Sequence, residues 1–123
     1  MKASRCLTGV GSAILLVFGI LHGAKLGTIE GMIQASGIKA PLDGIIKATW
    51  LGFSKEMMAL AVIAFVASGI ARGGWIVILC AIAMAANGLL LLHFLGPFIG
   101  VYMAVVVTAL FLAGGWIQSK QAA

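Results

Sequence analysis

The sequence predicts an all-α fold: a four-helix transmembrane bundle with a short amphipathic interfacial helix between helices 1 and 2. Three observations carry that reading. Mean hydropathy is +1.19, with 63% hydrophobic and only 9% charged residues. A soluble domain carries about 25% charged residues, so a soluble chain of this size could not cover this much apolar surface, whereas lipid accepts it. Four apolar stretches approach the roughly 20 residues that a spanning helix requires, and very short glycine-bearing links join the last three. The 123 residues allow one integral membrane domain.

The predicted spans are about 6–24, 48–71, 75–94 and 97–117. Lys2 and Arg5 precede the first, an opening that resembles a signal peptide. No small-x-small cleavage site follows around His22 and Gly23, so retention as a membrane helix is expected. Arg72-Gly73-Gly74 links spans two and three, and Leu95-Gly96 links spans three and four. Glycine suits a helix end, and Pro97 suits the first turn of the next helix. Such tight turns make spans two, three and four antiparallel neighbours. Ten-residue strands of alternating polarity, the mark of a membrane barrel, are not visible.

Residues 25–47 form a longer, more polar connection. From Pro41, residues Leu42, Ile45, Ile46 and Thr49 share one helical face, with Asp43 and Lys47 one turn apart on another. This spacing predicts the interfacial helix, a solvated loop being the alternative. Gly19, Gly23, Gly27 and Gly31 recur every four residues. On a helix they make a bare stripe that admits a neighbouring backbone. The stripe extends the first helix to about Ile33 and is expected to pack inside the bundle, with a second copy as the alternative. Trp50, Trp75 and Trp116 are expected to be interfacial anchors.

The net charge is +5, but the cations are scattered, so nucleic acid is not an expected partner. They fit topology signals and contacts with anionic lipid. Lys2, Arg5, Arg72 and Lys120 fall on one side of four spans. Lys25, Lys39 and Lys47 fall on the other, with Lys55 near the start of span two. Both termini are expected in the cytoplasm, because the first helix commonly dominates. Cys6 and Cys80 lack metal or dithiol spacing and read as buried, reduced thiols.

Alternating helix direction gathers the remaining polar groups at one end of the bundle. They are His22, Lys25, Glu30, Lys55, Glu56, Asn87, His93 and Tyr102, with Trp50 nearby. Ionisable groups inside a span usually face a partner or a wet cavity. Glu56 could meet His22, Lys25 or His93, or be solvated near the helix mouth while Lys55 snorkels. Glu56, His22, His93 and Glu30 are the acid–base candidates; Lys55, Asn87, Tyr102 and Trp50 are the ligand-binding candidates. His22 and His93 could ligate a metal or haem, but without a third ligand no metal or cofactor is expected. No nucleophile motif, phosphate loop or dinucleotide fingerprint appears.

Leu21-His22-Gly23 at the end of span one, the long first connection and Ala48-Thr49-Trp50 opening span two resemble the layout of small four-helix bacterial inner-membrane proteins, the DoxX-like group included. The resemblance implies a bacterial inner-membrane location and transfers no functional residue. Small multidrug transporters share the length and helix number but carry a carboxylate in the first helix, where this chain has none before Glu30. The leading expectation is a subunit or binding module for a membrane partner or hydrophobic ligand, or a homo-oligomer. A membrane enzyme or redox-associated protein acting on a lipophilic substrate, and a small transporter, are the alternatives.

Overall fold

A computed structural model describes residues 2–121. It contains α1 (Lys2–Ala24), α2 (Leu26–Ser36), α3 (Leu42–Ala67), α4 (Gly74–Leu95) and α5 (Ile99–Gln121), with no strand among the described residues. All but α2 are long and apolar enough to cross a membrane. The chain is a multi-pass membrane protein built as an all-α bundle.

The helices form a ring. α1 packs against α3 on one side and α5 on the other, α4 packs along α5, and only a thin contact between α3 and α4 closes the circle. Leu15, Met57, Val77, Met84, Val107 and Phe111 fill the centre. Most of each helix faces outward, as Val17, Phe65, Leu79 and Val105 do.

Lipid is as apolar as a leucine side chain, so burying leucine drives these helices together only weakly. Close backbone packing takes over. Three interfaces contain glycines whose missing Cβ permits the approach. Between α1 and α5, a Cβ on Gly11 would lie 2.9 Å from the Phe111 ring, and one on Gly114 would lie 3.1 Å from the Ser4 carbonyl oxygen. Between α4 and α5, one on Gly115 would lie 2.8 Å from the Gly74 carbonyl oxygen. Between α1 and α3, one on Gly19 would lie 2.8 Å from Met58 Cγ. Gly114 and Gly115 are adjacent and so point about 100° apart, which lets α5 seat α1 with one and α4 with the other.

Several boundaries differ from the expected ones. The short helix between the first two spans is α2, at residues 26–36. The segment from Pro41 instead forms the opening turns of α3, which runs unbroken for 26 residues, about 39 Å. The first helix continues along the glycine stripe but breaks at Lys25. There the His22 carbonyl accepts the Trp50 indole N–H (2.8 Å) and a tightened bond from Lys25 N–H (3.2 Å), and an inserted side chain of this kind interrupts a helix ladder. Pro97 precedes α5 rather than opening it. Gly96 turns the chain at φ 74°, and the Phe98 carbonyl is the first to receive helical N–H groups, those of Val101 and Tyr102.

α3 stops at Ala67. The amide of Gln118, buried on α5, donates to the carbonyls of Ala67 (3.0 Å) and Ile70 (2.7 Å). Each of these carbonyls also accepts a turn N–H, from Ile70 (3.0 Å) and Gly73 (2.9 Å) respectively, so Gln118 is a second donor that ties the end of α3 and its turn to α5. Gln118→Leu is expected to destabilise the bundle by about 1–2 kcal/mol, the loss of two interhelical hydrogen bonds whose acceptors keep a backbone donor. Gly115→Leu should cost a similar amount by forcing α4 away from α5. Gly52→Ala, where nothing lies within 4 Å of the new carbon, should cost nothing. Thermal unfolding in detergent, followed by circular dichroism, separates the three.

Candidate functional site

The polar residues form three separate groups, each fixed by different helices. The first is an aromatic lock between α1 and α3. The His22 ring stacks on Trp50, with centroids 3.8 Å apart and an interplanar angle of 17°, and meets the edge of Phe53 at 5.3 Å. One turn further along α3, Ser54 Oγ donates to the Gly19 carbonyl at 2.6 Å. Gly19 and Gly23 let α3 approach this closely, since a Cβ on Gly23 would lie 2.7 Å from Ser54 Oγ. Half of the glycine stripe therefore packs inside the bundle. Gly27 and Gly31, on α2, face open space, because the break at Lys25 takes α2 off the α1–α3 line. His22 Nε2 is buried and has no hydrogen-bond partner among the described residues.

The second group is ionic. Lys47 Nζ on α3 lies 3.8 Å from Asp43 Oδ2 and 4.0 Å from Glu30 Oε1 on α2. All three side chains are partly exposed, so the contacts orient α2 more than they stabilise it.

The third group lies within the spans. Asn87 Nδ2 on α4 donates to Glu56 Oε1 on α3 at 3.0 Å. Because α3 starts at Leu42, Glu56 falls near the middle of the helix and not at its mouth, about 16 Å before its end. Asn87 sits about 20 Å into α4. Glu56 is exposed and Asn87 half-buried. The pair bridges α3 and α4, the thin side of the ring, where the close glycine approach is at the connecting turn, Gly73 against Ala67, and none lies along the spans.

The candidates thus separate rather than converge. Glu56 meets Asn87, and not His22, Lys25 or His93. His22 is held by α3. The His93 ring touches its neighbour Phe94 at 4.8 Å and is exposed. Tyr102 and Lys55 are also exposed. Glu30 belongs to the ionic group. His22 and His93 stand on helices diagonal in the ring, and no cluster of three metal-ligating side chains occurs among the described residues. Cys80 is buried, whereas Cys6 is exposed, and both are free. Trp75 and Trp116 are exposed, but Trp50 is drawn into the lock.

Two concavities fall outside these groups. A groove of about 270 Å³ between α1 and α3 is lined by Gly9, Ser12, Ala13, Leu16, Ala61 and Phe65, among others, and is almost wholly apolar. A smaller cavity, about 190 Å³, lies at the opposite end of the bundle from the lock, against Arg5, Ser68 and Gln118. Sequence spacing reveals neither, because each is bounded by residues far apart in the chain.

No family model matches the chain, and no curated protein or solved structure matches it. The likeness to the DoxX-like group therefore rests on layout alone.

Trp50 makes two contacts that substitution can separate. Trp50→Phe keeps a ring for His22 and loses the indole donor, with an expected cost of about 1 kcal/mol. Trp50→Ala loses both, with an expected cost of about 3 kcal/mol or more. Equal losses in equilibrium unfolding would show that the stack contributes nothing.

Proposed function

We propose that this protein is a binding subunit: its α3–α4 face docks a transmembrane helix of a partner protein, and Glu56 and Asn87 recognise that helix. The observation that carries this reading is the exposed Glu56 carboxylate midway along a span. A carboxylate offers about four acceptor sites, and Asn87 occupies one. Leaving the others unpaired in hydrocarbon is expensive, whereas a partner helix bringing a cation or polar donor supplies what is missing. The thin α3–α4 contact leaves room for a third helix to pack. Of the other acid–base candidates, His22 is engaged in packing and Glu30 in an ion pair, and His93 stands apart from both on the exposed end of α4, which supports a non-catalytic role.

The proposed location is a bacterial inner membrane with both termini in the cytoplasm. Its support is the end that carries Lys2, Arg5, Arg72 and Lys120.

Affinity purification from native membranes, with a photo-cross-linker at position 55, tests the reading. A stoichiometric cross-linked protein is expected, and Glu56→Gln or Asn87→Leu should cut its recovery at least tenfold, with Glu56→Gln, which keeps an acceptor for Asn87, leaving thermal stability unchanged. Unchanged recovery in both variants would sink the proposal. A cross-link to a second copy of this chain would make the partner a homo-oligomer, and a copurified lipophilic molecule would make Glu56 a ligand site instead.

A further inference from the structure

The cavity at the end carrying the termini combines features that suit one kind of ligand. It is enclosed by the start of α1 (Ser4, Arg5), the α3–α4 turn (Ser68, Gly69, Ile70, Ala71) and the end of α5 (Gln118, Gln121). The Arg5 guanidinium reaches over the turn, with Nη2 3.2 Å from where a Cβ on Gly69 would stand. Lys2, Arg72 and Lys120 belong to the same end. The acidic side chains of the sequence are Glu30, Asp43 and Glu56, and none is at this end. The ion pairs among the described residues are made by Lys47 at the opposite end.

Gln118 makes the cavity more specific. It is only 6% exposed. Its Nε2 is committed to the Ala67 and Ile70 carbonyls, which fixes the amide and masks carbonyl oxygens that would repel an anion. The same commitment leaves Oε1 buried without a hydrogen-bond donor among the described residues. A buried acceptor of this kind calls for an explanation. The cavity is thus lined both by a planar cation and by the residue whose buried Oε1 needs a donor.

We infer that this cavity seats the headgroup of an anionic phospholipid, with the phosphodiester on Arg5 and a headgroup hydroxyl donating to Gln118 Oε1, as phosphatidylglycerol provides. Arginine suits the phosphate because its fork can donate two parallel hydrogen bonds. The depth is also right for a headgroup. Trp75 and Trp116, at the start of α4 and near the end of α5, are 66% and 58% exposed, and Lys120 lies over the Trp116 ring at 5.0 Å. Exposed tryptophans capped by a cation mark the level of the headgroups. Basic pockets between spans are suited to lipid headgroups for the same reasons. The site is independent of the α3–α4 face and of any partner there.

Native mass spectrometry of the full chain, from micelles doped equally with phosphatidylglycerol and phosphatidylcholine, tests the assignment. One retained phosphatidylglycerol per chain is expected, in at least fivefold excess over phosphatidylcholine. Arg5→Gln should lower retention at least fivefold, and Arg5→Lys two- to threefold. Lys120→Gln removes the same charge outside the cavity and should lower it less than twofold. Equal losses from Arg5→Gln and Lys120→Gln would reduce the effect to diffuse surface charge and overturn the site. Equal retention of the two lipids would overturn it as well. Displacement by excess inorganic phosphate would assign the cavity to a soluble phosphate compound and overturn the lipid.

Discussion

The architecture depends on backbone-to-backbone approach at glycine. In water, helices associate because their apolar faces leave the solvent. Within a bilayer that drive is absent, and contacts of many close atoms replace it. α1 meets α5 at Gly11 and Gly114, α4 meets α5 at Gly74 and Gly115, and α1 meets α3 at Gly19 and Gly23. α1 and α5 each use two glycine-bearing faces, so they form the spine of the bundle, and α3 and α4 are attached to its two sides. This explains why α3 and α4, consecutive in the chain and joined by a tight turn, touch so little.

The polar side chains follow from that division. Where helices are drawn close by glycine, polar groups lock them: Ser54 to the Gly19 carbonyl, Trp50 to the His22 carbonyl, Gln118 to the end of α3. Each uses a backbone acceptor that its helix leaves exposed or that can serve a second donor, so no charge is buried. Where α3 and α4 remain apart, the bridge is a carboxylate and an amide. Glu56 and Asn87 can hold that side together, but their unused hydrogen-bonding capacity leaves it open to something further. At the far end, Arg5 and Gln118 line a cavity, and Gln118 Oε1 has no donor among the described residues.

Much of this molecule follows from the sequence alone. Composition and the four apolar runs determine a multi-pass all-α membrane protein, since a helix is the form that satisfies its own backbone in lipid. The stripe beginning at Gly19 identifies a real packing surface, and the short links determine the up-down order. Only the tertiary structure decided which polar groups meet. Apolar spacing leaves both the start of a helix and its rotation open: α3 begins at Leu42, which puts Glu56 mid-helix beside Asn87 and about 9 Å along α3 from the Trp50 that stacks on His22. The same limit hid Gly114 and Gly115, which lie outside any four-residue stripe and are used by two different neighbours, α1 and α4. It also hid the break at Lys25, which depends on an indole 25 residues further along the chain. Local sequence set the helices and their order; the bounds and rotation of each helix, and with them every contact that could carry function, came from packing against neighbours distant in the chain.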